Sequence, residues 1–511
     1  MKDQVVLAID YLKTTVERYP DKTAIVDSGA SVSFLQVWNR ALHLARWISV
    51  RFPDRGLPVA IDLPKSIDAI IALVAVQLSG NIYAPLDPES PPGRKREIFK
   101  SLGEFLWLRE EAGRITLNDE VYDEAPVQSE NLAGLEQALL ERLAHGADAC
   151  PLYIMHTSGT TGRPKGVAIS NASVIDYIEW AIETYAVSEA ETIGSQAPLC
   201  FDNSTLDLYL CFFTGATLHL IPRDTLAFPP LLGEYLESIR INFIFWTPSL
   251  ISNMLALKIW RSGEVPGLKK ILFAGEAMPL SVLRQLRELF PDALLSNLYG
   301  PTEATVDTTY WIFGDELESL EATPIGKPCR NHRILLLDDA GHLIERADTP
   351  GEICIAGAGV ALGYWNEPEL TRQAFIANPE PGRCDEIIYK TGDMGYVSGK
   401  DALIYLTGRN DGQFKHQGHR IESGEIENAL NALEGIAQSC VFYDADSKAI
   451  IACYMAVKGY EGPPQRADFK DRLPTYMFPR RFIKVETFPQ TVNGKLDRKA
   501  LREQYNQGRY E

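Results

Sequence analysis

Short apolar runs that end in turn residues recur through the N-terminal part of the chain. Such runs are typical of buried strands, and they cover residues 58–63, 152–158, 216–221, 243–249 and 269–276. Segments with helical apolar spacing separate them, as over residues 4–18, 66–79 and 280–289. Because strands that alternate with helices form largely parallel sheets, the pattern predicts a layered α/β architecture.

The pattern changes between residues 324 and 406. Short β-runs with glycine-rich turns appear there, and they predict an antiparallel β subdomain. A polar stretch follows residues 408–411, and the remainder mixes helix and strand on the scale of a small domain. We therefore predict a large N-terminal domain over residues 1–408 and a small α+β domain over 412–511, joined by residues 409–411.

Composition narrows the class of protein. The 511 residues are 45% hydrophobic and 23% charged, which is typical of an ordered globular chain. A net charge of −18 disfavours binding to nucleic acid or anionic lipid. The eight cysteines form no C-x-x-C pair, which argues against a zinc site or a disulfide framework. With no signal peptide or membrane-span pattern, the expected compartment is the cytoplasm.

The segment Thr157-Ser-Gly-Thr-Thr-Gly-Arg-Pro-Lys-Gly166 follows one of the strand-like runs. Its glycines permit close backbone approach, while hydroxyls, free amides and Lys165 can hold anionic oxygens. It is not a Walker loop, because Lys165 follows proline and precedes glycine. The composition predicts a cradle for a polyphosphate.

This loop resembles the phosphate loop of the adenylate-forming superfamily, which includes acyl-CoA synthetases, luciferases and the adenylation domains of nonribosomal peptide synthetases. The resemblance extends over nearly the whole chain, because further family motifs follow in the family's order. These motifs cover residues 81–88, 201–204, 274–276, 299–303, 351–364, 389–393, 408–411, 418–422 and 493–495.

The resemblance implies ATP and Mg²⁺ as cofactors and assigns their ligands. Lys165 and the loop hydroxyls would hold the β- and γ-phosphates, Tyr299 would pack on adenine, and Asp393 would accept both ribose hydroxyls. Glu303 would coordinate Mg²⁺, and Thr302 would act beside it. The full nucleotide set is Thr157, Ser158, Gly159, Thr160, Thr161, Gly162, Gly275, Glu276, Asn297, Leu298, Tyr299, Gly300, Thr302, Asp393 and Arg409.

Joining a carboxylate to the α-phosphorus of ATP brings two anions together, so the site needs positive groups. Lys495 resembles the family's C-terminal catalytic lysine, which bridges the substrate carboxylate and the α-phosphate. Asp411 matches the family's hinge position. The resemblance implies that the small domain closes for adenylation, then rotates so that the Gly418 region forms a tunnel for a thiol.

Asp202 distinguishes amino-acid activators from relatives that use plain acids, since a buried carboxylate there needs a partner such as an α-ammonium group. The matched pocket is mostly apolar and favours a small apolar side chain. It consists of Asp202, Asn203, Leu206, Phe245, Leu272, Ala274, Leu298, Val306, Asp307 and Lys495.

This pocket resembles that of stand-alone prolyl adenylating enzymes, and L-proline is the predicted substrate. Asn203 and Asp307 depart from that pattern, and Asp307 inside the pocket could instead pair with a cationic or hydroxylated substrate. The segment around Asp202 also resembles D-alanine–carrier protein ligases, although these tend to carry cysteine at the position of Ala274. D-alanine, another small amino acid and a basic amino acid remain alternatives.

Only 16 residues follow Lys495, so the expected thiol is the phosphopantetheine of a separate carrier protein. Coenzyme A is the alternative acceptor. A non-catalytic nucleotide-binding relative is the remote alternative. Such a relative would be expected to lack Lys495, Glu303 or Lys165, and all three are present.

Overall fold

A computed structural model describes residues 7–122, 132–143, 151–158, 163–261, 267–383, 385–409, 412–445, 447–457, 460, 462–489 and 496–509. The chain divides into two compact units. Unit 1 comprises Met1–Pro88, Leu102–His156 and Gly166–Asn410, and unit 2 comprises Glu89–Ser101, Thr157–Lys165 and Asp411–Glu511. The hinge residue Asp411 lies outside the described residues, so its role remains a prediction.

A nine-stranded sheet forms one layer of unit 1. From edge to edge its strands are β16 (Lys327–Pro328), β15 (Thr309–Ile312), β14 (Leu294–Tyr299), β13 (Lys270–Phe273), β12 (Phe243–Trp246), β10 (Thr192–Ser195), β11 (Thr217–Leu220), β1 (Thr23–Asp27) and β2 (Ala30–Ser33). The central strands β1, β11, β10, β12, β13 and β14 pair in parallel. At the edges, β2, β15 and β16 pair antiparallel. The predicted parallel centre is confirmed.

An eight-stranded sheet forms the second large layer of unit 1. Its strands, in order, are β19 (Gly363–Tyr364), β9 (Lys165–Ser170), β8 (Pro151–Thr157), β4 (Ile82–Pro85), β3 (Pro58–Asp62), β5 (Leu106–Glu111), β6 (Arg114–Leu117) and β7 (Glu120–Val121). Parallel pairing joins β8, β4, β3 and β5, and again the antiparallel pairs lie towards the edges.

Helices cover these sheets. Those of unit 1 are α1 (Ala8–Arg18), α2 (Phe34–Arg51), α3 (Ile67–Leu78), α5 (Leu132–Leu143), α6 (Asn171–Tyr185), α7 (Asn203–Thr214), α8 (Arg223–Ala227), α9 (Pro229–Ile239), α10 (Pro248–Ala256), α11 (Leu280–Leu289) and α12 (Pro368–Ala374). The sequence of α3 is apolar on all sides, and nearly every residue in it is buried. No described helix is long and apolar enough to cross a membrane.

Alternation along β12 to β14 divides the interior of unit 1 into two hydrophobic clusters. Phe245, Leu272 and Leu298 belong to the first cluster, which also takes in α6 and α7. Their strand neighbours Trp246 and Phe273 belong to the second cluster, against α10 and α11. Because successive side chains of a strand point to opposite faces, one strand serves both cores.

The predicted antiparallel subdomain is present in unit 1. It pairs β17 (His332–Leu337), β18 (Gly351–Gly357), β21 (Ile387–Val397) and β20 (Phe375–Ala377), with β22 (Ile404–Arg409) on β21. Its last strand ends at Arg409.

Unit 2 is a small α+β body with its own core. It contains α4 (Pro92–Leu102), the hairpin β23 (Gln413–His416) and β24 (His419–Glu422), α13 (Ser423–Asn431), the sheet β25 (Ile436–Asp444), β26 (Ala449–Ala456) and β27 (Arg481–Lys484), and α14 (Arg498–Asn506). Ile426 and Leu430 of α13 pack on Val441 and Ile450 in a separate hydrophobic cluster.

Candidate active site

The candidate phosphate loop is bounded by two strands. β8 ends at Thr157 and β9 begins at Lys165. The hydroxyl oxygen of Thr157 is buried and has no hydrogen-bond partner among the described residues, which suits a donor for a phosphate oxygen. Ser158 donates its hydroxyl to the carbonyl oxygen of Arg420 at 2.8 Å. The Lys165 side chain is buried.

At the predicted ribose site, each carboxylate oxygen of Asp393 accepts a hydrogen bond. Tyr299 donates its hydroxyl to Oδ2 of Asp393 at 2.6 Å, and Arg409 donates to Oδ1 at 2.5 Å. Arg409 also donates to the carbonyl oxygen of Thr391 at 3.0 Å. Burial and the Asp393 carboxylate raise the pKa of Tyr299 well above its usual range, so its hydroxyl remains a donor. Asp393 is therefore fixed in orientation before any nucleotide binds.

Three further predicted nucleotide residues follow β13 or lie in β14. Gly275 adopts a φ of +93°, which a residue with a side chain adopts only under strain. The carboxylate of Glu276 accepts the backbone N–H of Ser249 at 2.9 Å. Asn297 is buried, and its amide donates to the carbonyl oxygen of Pro324 at 2.7 Å. These contacts fix the chain on either side of the pocket strands.

Glu303, the predicted Mg²⁺ ligand, is fully buried in the short 3-10 turn Thr302–Ala304. Tyr364 donates its hydroxyl to Oε1 of Glu303 at 2.8 Å, and the Glu303 carbonyl accepts from Ala361 at 2.9 Å. The described residues include no group of three or more potential metal ligands. Mg²⁺ in nucleotide sites commonly uses one or two carboxylates plus phosphate oxygens, so the chemistry of Glu303 fits the ion.

The apolar residues of the predicted substrate pocket all belong to the first hydrophobic cluster. Phe245 and Leu272 are direct partners across β12 and β13. Leu272 pairs in turn with Ser296 of β14. Ala274 and Leu298 lie two residues after Leu272 and Ser296, and both belong to the same cluster. All six predicted wall residues are buried members of this cluster: Leu206, Phe245, Leu272, Ala274, Leu298 and Val306.

Two polar pocket residues lie where α7 begins. Asp202 is the residue before the helix, Asn203 is its first residue, and both are half-buried. Burial and, next, the charge of Asp202 raise the pKa of the Tyr153 hydroxyl above its usual range. Negative charge at a helix N-terminus is stabilised by the helix dipole. The start of α7 is therefore a favourable place for the negative charge of Asp202.

Asp307 is buried rather than turned to solvent, with 1% of its surface exposed. Its Oδ2 accepts the hydroxyl of Tyr177 from α6 at 2.7 Å. Tyr177 lies in no motif and far from Asp307 in sequence, so the sequence analysis did not identify it. In the sequence Tyr177 is an aromatic residue with helical spacing to neighbouring apolar residues, a pattern that usually indicates a core residue.

The loop between Tyr299 and Thr308 carries Val306 and Asp307 in an unusual backbone conformation. Thr305 and Val306 have φ values of 58° and 67°, which are rare for β-branched residues. The loop passes close over Gly300, and the Asp307 N–H donates to the carbonyl of Thr305 at 2.9 Å. Local strain of this kind persists only where surrounding structure imposes it.

Several predicted site residues lie outside the described part of the chain. They are Gly159, Thr160, Thr161 and Gly162 of the phosphate loop, the hinge residue Asp411 and the catalytic candidate Lys495. Their roles remain predictions.

Comparison with known proteins supports the family resemblance. Residues 12–365 match the profile of AMP-binding enzymes, and residues 425–495 match the AMP-binding enzyme C-terminal domain. A D-alanine–D-alanyl carrier protein ligase of Bacillus cytotoxicus is 32% identical over 94% of this chain and 96% of its own length. Bacitracin synthase 1 of Bacillus licheniformis is 33% identical over 95% of this chain but only 9% of its own length.

A solved NRPS protein containing adenylation and PCP domains superposes with a TM-score of 0.81 at 26% identity, covering 98% of this chain and 84% of that one. The fold and the family expected from the motifs are confirmed. With both of its units matched by the family's two profiles, the chain belongs to the AMP-binding enzyme family.

Proposed function

We propose that this enzyme activates an amino acid with ATP and then transfers the aminoacyl group to the thiol of a carrier protein. The observation that carries the proposal is Asp202, a half-buried carboxylate at the start of α7, the helix that also carries the buried wall residue Leu206. A carboxylate in that position can pair with an α-ammonium group, while the wall removes water from the side chain.

Two displacements make up the reaction. In the first, an oxygen of the amino-acid carboxylate bonds to the α-phosphorus, and the bond to the pyrophosphate oxygen breaks. In the second, the thiol gives its proton to solvent, the resulting thiolate bonds to the carbonyl carbon of aminoacyl-AMP, and the bond from that carbon to the phosphate oxygen breaks and releases AMP. The chain's own groups bind and orient: Asp202 holds the ammonium group, Asp393 the ribose, and Lys495 the substrate carboxylate and α-phosphate.

ATP and Mg²⁺ are the proposed cofactors. Glu303 would hold the ion, which neutralises charge on the phosphate oxygens when bound. Tyr364 keeps the Glu303 carboxylate oriented through its hydrogen bond. The buried hydroxyl of Thr157 would donate to a phosphate oxygen.

We place D-alanine ahead of L-proline as the substrate. A relative that is 32% identical over 94% of this chain and 96% of its own length is named a D-alanine–D-alanyl carrier protein ligase. The structure adds a physical reason, because a buried Asp307 beside the wall is unfavourable next to proline's ring methylenes. Alanine presents only one methyl group to this wall.

A carrier protein is the favoured acceptor of the aminoacyl group, since the matched relatives include a carrier protein ligase and a protein with adenylation and PCP domains. Coenzyme A is the alternative. Loading of a phosphopantetheinylated carrier, detected as a mass increase, separates the two acceptors when coenzyme A is offered in parallel.

The test of the proposal is amino-acid-dependent pyrophosphate exchange across all amino acids in both enantiomers. We expect D-alanine to give the highest kcat/KM, with no exchange when amino acid is omitted. The same assay is run with carboxylic acids that lack an α-amine, and exchange with these acids but with no amino acid would overturn amino-acid activation. A panel led by L-proline would reverse the order of substrates but leave the reaction intact.

A further inference from the structure

Tyr177 and Asp307 form a buried pair beside the candidate pocket. Each side chain is 1% exposed, and the Tyr177 hydroxyl donates to Oδ2 of Asp307 at 2.7 Å. Asp307 directly follows Val306, a residue of the apolar wall. Tyr177 and Val306 belong to the same hydrophobic cluster, so the pair lies in the cluster that contains the predicted pocket wall.

Both partners are held in place by their surroundings. Tyr177 stacks on Trp180 with ring centroids 5.7 Å apart, and Trp180 packs edge-on against Tyr310 at 5.0 Å. Asp307 is fixed by the strained loop through Thr305 and by the close approach to Gly300. Neither side chain can swing away without disturbing packed neighbours.

The hydroxyl remains protonated under all physiological conditions. Burial and the negative charge of Asp307 raise the pKa of Tyr177 well above its usual range. A hydrogen bond from a neutral donor to a buried carboxylate offsets part of the cost of removing that carboxylate from water. It also takes one of the oxygens that a cationic substrate would otherwise contact.

We propose that Tyr177 determines substrate specificity by holding Asp307, so that the pocket selects amino acids with small uncharged side chains over those with cationic ones. This inference rests on the proposed amino-acid activation and extends it to a residue of α6 outside the motif-derived pocket.

Removal of the Tyr177 hydroxyl should make the enzyme more tolerant of amino acids with cationic side chains. In Tyr177→Phe a buried oxygen of Asp307 loses its donor, and a substrate ammonium group can replace it. The matched probe is 2,3-diaminopropionate, which is alanine with an amino group on Cβ. Because it adds only one heavy atom to alanine, its use tests charge rather than pocket size.

The experiment compares kcat/KM for alanine and 2,3-diaminopropionate, each in the enantiomer that wild type prefers, by pyrophosphate exchange. We expect the preference for alanine to fall at least tenfold in Tyr177→Phe. Tyr185→Phe is the control, because Tyr185 is equally buried on the same helix but its hydroxyl bonds to the neutral Ser296 at 3.0 Å. The control should keep the wild-type preference within about threefold.

An unchanged preference in folded Tyr177→Phe would overturn the inference, as would an equal shift in Tyr185→Phe. If Tyr177→Phe does not fold, Tyr177→Phe/Asp307→Leu removes both partners and should reject diaminopropionate at least as strongly as wild type. Greater acceptance of diaminopropionate by that double variant would also overturn it. Failure of wild type to exchange with any amino acid would reject the proposed function instead.

Discussion

Gly300 has almost no room for a side chain. A Cβ built on it would lie 2.4 Å from the carbonyl oxygen of Val306 and 2.5 Å from the Cα of Asp307. Both neighbours are backbone atoms, so they cannot rotate away as the end of a flexible side chain could. Gly300→Ala must therefore displace the loop that carries these two pocket residues.

The size of the effect follows from the nature of the clash. Forcing one extra carbon into a packed site costs about 1–3 kcal/mol. For large domains each kcal/mol lowers the melting temperature by roughly 2–4 °C, so we expect Tm to fall by roughly 2–12 °C. A displacement of pocket residues by about 1 Å can reduce kcat/KM on the order of 100-fold.

Thermal unfolding and pyrophosphate exchange measure the two effects separately. Gly267→Ala is the matched control, because Gly267 lies on the surface and a Cβ there meets no atom within 4 Å. The reasoning is refuted if Gly300→Ala matches Gly267→Ala in both Tm and kcat/KM. Loss of Tm with unchanged kcat/KM would show that the loop supports the fold but does not shape the pocket.

Three further perturbations test other parts of the molecule. Asp202→Ala should reduce kcat/KM for the preferred amino acid by the equivalent of roughly 2–5 kcal/mol, and unchanged exchange would place Asp202 outside the pocket. Lys495→Ala should abolish most adenylation while sparing thiolation of preformed aminoacyl-AMP, a split that equal losses in the two half-reactions would contradict. Burial first, then His416 and Arg94, lowers the pKa of His419 to about 4. Its contribution to stability is therefore present above pH ~6.5 and is lost as pH falls through ~4, by up to about 3 kcal/mol. His419→Phe keeps an aromatic ring against Tyr476 and should reduce the fall in the free energy of unfolding, measured in urea, between these pH values. An equal fall in wild type and variant would contradict this role of His419.

Periodicity and motifs predicted the elements of the fold well, because local patterns determine them. The run over residues 66–79 became α3 (Ile67–Leu78), and residues 280–289 form α11 as expected. The antiparallel edge strands β15 and β16 were not predicted, since pairing direction depends on the path of the connecting chain rather than on side-chain period.

The candidate site was predictable only where motifs carry it. Alternation assigned Phe245 and Leu272 to buried strands, and the motifs joined them to Leu206. The partners Tyr177 and Tyr364 were not assigned roles, because they reach Asp307 and Glu303 across long separations in sequence. The choice of substrate was the weakest inference, because the sequence does not reveal that Asp307 is buried and accepts the hydroxyl of Tyr177.

The alternation along β12, β13 and β14 has a consequence for how such an enzyme can diversify. Phe245 and Leu272 belong to the first cluster and to the predicted pocket wall, whereas their neighbours Trp246 and Ile271 pack in the second cluster. Substitutions can therefore accumulate on the pocket side while the opposite side keeps the sheet attached to its helices. A single-residue insertion in β13 would turn its pocket-side residues towards the second cluster and its second-cluster residues towards the pocket, so both sets of contacts would be lost. New selectivities should thus arise by replacement within these strands, and changes in length should be confined to the loops between them.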